Sequence, residues 1–224
     1  MSTTLLWAAI FLAILDWIAV AISFKPLEYI AKPGVMIVLL LWIGTQGELS
    51  GPIIWFVIGV FLSLWGDVFL MLPQEPFIAG LVFFLLAHIA YILGFSQSLP
   101  PLNLASLAIG LIITLSAVGV YRRIAQALSI RQQSRLRLPV LAYTTIISLM
   151  LFSALVTLIR PDDQWKPFPA LLAGSGALLF FVSDALLAWN KFVAALSHGR
   201  LKVIIAYHLG QLGILLGAAF QFLL

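Results

Sequence analysis

Residues 52–71 read PIIWFVIGVFLSLWGDVFLM. Twenty helical residues rise about 1.5 Å each and cover about 30 Å, the depth of a bilayer's hydrocarbon core. The opening proline has no N–H to satisfy, so it starts a helix without loss. Apolar side chains surround the whole stretch instead of forming one stripe, as in a membrane span rather than the surface helix of a soluble fold. One ionisable residue interrupts it: Asp67, one turn after Ser63 and next to Gly66.

Working outward, seven more stretches repeat the pattern: 5–24, 33–47, 77–95, 102–121, 138–159, 169–190 and 203–224. The span at 33–47 is the shortest. Pro33, Pro52, Pro76, Pro101, Pro139 and Pro169 stand at or near the expected helix starts. The chain is 63% hydrophobic and 9% charged, against roughly 25% charged in a soluble domain. No soluble fold of this size has enough interior for that much apolar surface. The expectation is therefore all-α: a polytopic membrane bundle of about eight transmembrane helices, forming a single domain over 1–224. Residues 1–4 lack a basic segment and Asp16 interrupts the apolar run after them, so the first span is expected to be retained rather than cleaved as a signal peptide.

The sequence contains no cysteine, which excludes disulfides, zinc–thiolate sites and thiol nucleophiles. Three scattered histidines offer no metal-ligand spacing. The net charge of +4 fits basic loops against an anionic leaflet rather than a nucleic-acid partner. One set of alternate loops holds Lys25, Lys32, Arg122, Arg123, Arg131, Arg135, Arg137, Lys191, Arg200 and Lys202; the other holds Arg160 and Lys166. Ten against two predicts the Arg-rich loop 122–137 in the cytoplasm and both termini outside. In a bacterium this would be the inner membrane.

Ionisable groups inside spans cost a few kcal/mol and call for a partner or a task. Asp16, Asp67, His88, Asp184 and His208 qualify. Helical rise places Asp67 about 6 Å from the inner edge, Asp184 and Tyr207 about 8 Å, and His88 about 16 Å. Ser63, Gly66 and Asp67 share one helix face, as do Tyr207, Gly210 and Gln211, and Gly176, Phe180 and Asp184. The small residues allow close helix approach or leave room for a ligand. Two carboxylates at one depth repel when both are charged, an arrangement suited to an acid and a base. Asp16 and His88, taken singly, suit a structural bond across the bundle. Gly66-Asp67 followed by His88 is echoed by Ser183-Asp184 followed by His208, a faint sign of a parallel 4+4 repeat.

These residues carry a family resemblance. Lys32-Pro33, Ser63-Leu64-Trp65-Gly66-Asp67, Ala87-His88-Ile89-Ala90-Tyr91, the run from Gly176 to Asp184, and Tyr207 with Gln211 occur in order along nearly the whole chain. Together they resemble the lysoplasmalogenase family of eight-span membrane proteins. The resemblance implies a hydrolase that acts on the vinyl ether bond of a lysophospholipid in the membrane, giving a fatty aldehyde and a glycerophospho-ethanolamine or -choline, without cofactor or metal. Asp67 and Asp184 are then the candidate catalytic pair. Lys32, Tyr207, Gln211, Ser63, Ser183 and His88 form the candidate substrate-binding set, with Lys32 placed to meet the lipid phosphate and Arg200 or Lys202 assisting. Vinyl ether hydrolysis needs a proton donor at the β-carbon, a negative charge near the oxocarbenium ion and a positioned water. A carboxylate pair meets the same demand in glycoside hydrolysis. The same intramembrane Asp and His residues also suit a proton-coupled or small-molecule transporter, or a protein that binds lipid without catalysis.

Overall fold

The computed structural model describes residues 3–72, 76–160 and 165–224. They form eight helices long and apolar enough to cross a membrane. In chain order these are α1 (Thr3–Ala21), α2 (Lys25–Gly44), α3 (Ile53–Met71), α4 (Phe77–Phe95), α5 (Leu104–Ile130), α6 (Arg137–Leu155), α7 (Pro167–Ala188) and α8 (Gly199–Phe222). A 3-10 turn, Val156–Ile159, extends α6, and a π-helical turn, Trp189–Val193, extends α7. No strand occurs among the described residues.

Two boundaries differ from the sequence expectation. The second span starts at Lys25 rather than at residue 33, so Pro33 lies inside α2, and Pro26 is the proline at the helix start. A bundle tolerates an internal proline where neighbouring groups satisfy the freed backbone. The early turns looked like loop because they carry Lys25, Glu28 and Lys32, and those side chains turn out to face a cavity. The fifth span continues to Ile130, which takes Arg122 and Arg123 out of the expected loop and onto a helix of 27 residues. At about 1.5 Å per residue that helix outruns the hydrocarbon by two turns. A capping box starts it: Asn103 Oδ1 accepts from Ser106 N at 2.9 Å, and Ser106 Oγ accepts from Asn103 N at 3.2 Å.

Sequential helices pack as pairs, α1 with α2, α3 with α4 and α7 with α8, and α8 is the most buried of all. Close backbone approach explains the α7–α8 pair. A Cβ on Gly176 would lie 2.4 Å from Ile214 N and 2.7 Å from Gly210 O. The small residues on these faces are therefore filled by the neighbouring backbone and leave no ligand space. At one end of the bundle an aromatic cluster packs the interior, in which the neighbouring rings of Phe56, Phe95, Trp165 and Phe222 have centroids 4.9–6.2 Å apart. At the other end α2 and α8 begin, α3 ends, and the interior opens.

Candidate active site

Asp67 projects from the last turn and a half of α3 and is 1% exposed. Its Oδ2 accepts a hydrogen bond from the Tyr207 hydroxyl of α8 at 2.6 Å, and its Oδ1 lies 3.0 Å from Lys32 Nζ of α2. The Lys32 ammonium also stands 5.9 Å from the centre of the Tyr207 ring. Lys32 was expected at the start of span two, facing a lipid phosphate. It sits two turns into α2 with its charge committed to Asp67. Removing one partner of such a buried pair strands the other charge and costs about 3–5 kcal/mol.

Asp184 on α7 has a separate set of partners. The Tyr143 hydroxyl of α6 donates to its Oδ2. His88 Nε2, from α4, lies 3.2 Å from the same oxygen and 3.0 Å from the Tyr143 hydroxyl. His88 thus bonds across the bundle, from α4 to the Asp184 carboxylate on α7. The helical-rise depths placed His88 well below Asp184, whereas the two are in contact. Counting inward from Val193, the true end of the seventh span, puts Asp184 about 14 Å deep and removes most of the discrepancy.

The two carboxylates share no hydrogen bond among the described residues, yet both line one cavity of about 260 Å³ together with Lys32, Ser183 and Tyr207. Between their partner sets stands an aromatic wall. The Phe180 ring is 4.7 Å from His88 and 5.2 Å from Tyr207, and Phe84 is 5.7 Å from Tyr207. The cavity mouth carries Lys25, Glu28, Asn190, Lys191 and Arg200. A second, apolar cleft runs between α4, α5, α6 and α7. Leu70, Phe77, Phe84, Leu187 and Asp184 line both spaces, so the polar cavity and the apolar cleft adjoin, and Asp184 is the one ionisable residue among the five in their shared wall.

Of the other expected site residues, Ser183 lines the cavity and Ser63 and Gln211 stand one layer back. Ser63 and Gln211 are fully buried, and Gln211 Oε1 accepts from the Tyr91 hydroxyl at 2.6 Å. Ser183 Oγ donates to Val203 O at 2.9 Å and ties α7 to α8 at the cavity wall. His208 accepts from Trp17 Nε1 at 3.1 Å, so the sequence echo between the halves does not become two equivalent Asp–His pairs. Asp16 is fully buried on α1 and does not line the cavity, though it lies within electrostatic reach of Lys32, Glu28, Asp67 and Arg200, which do; neither of its carboxylate oxygens has a hydrogen-bond partner among the described residues. Tyr143, Phe84 and Glu28 were not singled out in the sequence. A tyrosine near the end of a span also fits an interfacial anchor, so Tyr143 gave no distinct signal.

The chain matches the YhhN family over residues 27–218. Lysoplasmalogenase TMEM86B of Rattus norvegicus is 31% identical over 204 residues, covering 91% of this chain and 74% of the relative. The protein of the same name from Mus musculus is also 31% identical, covering 91% and 76%. A lysoplasmalogenase homolog of Dictyostelium discoideum is 30% identical over 69% of this chain and 59% of its own. No solved structure matches. With eight membrane-length helices and a family match spanning most of its length, this multi-pass integral membrane protein belongs to the YhhN family.

Proposed function

We propose that the protein is a membrane hydrolase that cleaves the vinyl ether bond of lysoplasmalogens, releasing a fatty aldehyde and a glycerophospho-ethanolamine or -choline. Relatives that bear the name lysoplasmalogenase support the reaction class. The observation that carries the reading is the place of Asp184 in the wall shared by a cavity with a basic mouth and an apolar cleft. A lysoplasmalogen has its phosphate at one end, its hydrocarbon at the other and the vinyl ether between them. Laid in this site with the phosphate at the mouth and the chain in the cleft, it brings the reacting bond to the carboxylates.

The partner sets suggest the roles. Lys32 supplies the countercharge for an ionised Asp67. Among the described residues Asp184 has a hydroxyl and an imidazole beside it, both at Oδ2, and no lysine or arginine partner, so it is assigned the role of proton donor. Asp184 protonates the β-carbon, the C=C electron pair forms the new C–H bond, and an oxocarbenium ion develops at the α-carbon. Asp67 stabilises that cation and takes a proton from the water that attacks it. The hemiacetal then collapses: Asp184 recovers the hydroxyl proton, Asp67 returns its proton to the departing glycerol oxygen, and both carboxyls are regenerated. Tyr207 fixes Asp67, and Tyr143 with His88 fixes Asp184.

The test is release of aldehyde by protein purified in detergent, with no ion gradient. An enzyme liberates one aldehyde per lysoplasmalogen consumed and leaves saturated alkyl ether analogues intact. A carrier or a lipid-binding protein produces no aldehyde, and that outcome would remove the reading.

A further inference from the structure

Glu28 lies in the first turn of α2 with its side chain 7% exposed, between two cations that are about half exposed. Its Oε1 accepts from Arg200 Nη2 of α8 at 2.6 Å, and its Oε2 is 3.2 Å from Lys25 Nζ. All three line the mouth of the cavity that contains Asp67 and Asp184. We infer that this triad is the head-group site, and that Glu28 selects lysolipids whose phosphodiester carries a cationic amine. The inference rests on the lysolipid reading above and deepens it.

Charge and donor capacity support the assignment. Lys25, Arg200 and Glu28 together carry +1. A guanidinium has five N–H donors and an ammonium three, so both cations keep donors free after meeting Glu28, on the half of each side chain that stays exposed. Both also stand in the first turn of a helix, α2 or α8, where the helix dipole disfavours a cation and favours an anion. A phosphodiester bound there satisfies the free donors and neutralises the site. Its amine then falls beside Glu28, the one carboxylate at the mouth among the described residues. A head group with no cation brings the phosphate beside the Glu28 carboxylate without adding a positive partner for it, so the same carboxylate that attracts an amine disfavours an anionic lipid.

The experiment measures binding of two saturated alkyl ether lysolipids with the same chain, one with a phosphoethanolamine head and one with a phosphoglycerol head. A vinyl ether hydrolase cleaves neither, so the result is independent of turnover. Failure of wild-type protein to hydrolyse the vinyl ether substrate would strike the catalytic proposal and leave the head-group result to be read separately. Wild type should prefer the ethanolamine analogue. Glu28→Gln should bind it about tenfold more weakly, the weight of one charge-assisted hydrogen bond, and bind the glycerol analogue more tightly. Glu28→Asp keeps the charge with a shorter reach and should fall between them, which preserves the comparison if the glutamine variant does not fold. An equal loss for both analogues, or one ratio across all the folded variants, would overturn the inference and reduce Glu28 to a prop for the rim.

Discussion

Asp67, buried, and Asp184, partly buried, are carboxylates at the wall of one cavity, but different groups hold them, and that difference sets the expected phenotypes. Asp67→Asn and Asp184→Asn retain size and most hydrogen-bonding capacity while removing the charge and the titrating proton. Each should lower turnover by about 10²–10⁴-fold, the range for a lost general acid or base. Thermal unfolding in detergent should separate the two. Asp67→Asn strands the Lys32 ammonium 3.0 Å away and should lower Tm, whereas Asp184→Asn strands no lysine or arginine and should lower it less. Asp16→Asn, at a position that does not line the cavity, should be far milder in activity. Near-normal turnover in both cavity variants would end the acid–base mechanism. At this scale the sequence was informative where an ionisable group stood alone in an apolar run, which is how Asp67, Asp184 and His88 were found. It was not informative about pairings. His88 meets Asp184 rather than a residue on its own hairpin, because tilt and axial offset of α4 against α7 decide that contact and neither is written in the spacing. Lys32 was placed at a helix start because the polar first turns of α2 looked like loop, and its partner Asp67, on another helix, was equally unwritten in the spacing.

Helix number was legible because a span's length is fixed by the bilayer, and all eight stretches appear as helices. Helix ends were less legible. A polar first turn looks like loop whether it faces solvent or lines a cavity, which shortened α2, and a helix that projects beyond the hydrocarbon looks truncated, which shortened α5. The glycine strips left two alternatives open, close packing or ligand space, and the α7–α8 contact resolves them toward packing. That gives a prediction belonging to the helix pair. Gly176→Leu would drive a branched side chain into the α8 backbone, since its Cβ alone would be 2.4 Å from Ile214 N. Overpacking of this kind costs about 1–3 kcal/mol or more. The variant should show a lowered Tm and, because α7 carries Asp184 and α8 carries Tyr207, reduced turnover. Gly119→Leu on α5 is the control: a Cβ there meets nothing within 4 Å, and both measurements should stay at wild-type values. Equal effects at the two positions would show that the α7–α8 seam is not the constraint described.

For the molecule as a whole, one end is plugged by aromatic rings and the other opens into the cavity, so orientation decides which leaflet supplies substrate. The charge count that set the expected orientation changes once the fold is known. Lys32 belongs to a buried ion pair, leaving nine basic residues against two. That margin still favours the open end inside. The Arg-rich connection lies at that same end, as the bond from Arg131 Nη1 to Lys191 O at 3.2 Å shows directly. Reporter fusions after Leu224 should therefore read outside, and insertions at 131–133, between α5 and the turn before α6, should read inside. Activity provides a second measurement. In sealed vesicles of known sidedness, lysoplasmalogen added to the cytoplasmic face should be hydrolysed at once. Substrate added to the opposite face should be hydrolysed only after detergent opens the vesicle or the lipid crosses the bilayer, because the Phe56, Phe95, Trp165 and Phe222 plug leaves no route from that side. A C-terminus that reads inside, together with prompt hydrolysis from the outer face, would invert the orientation while leaving the site chemistry intact. Prompt hydrolysis from both faces would mean that the aromatic plug does not seal the bundle.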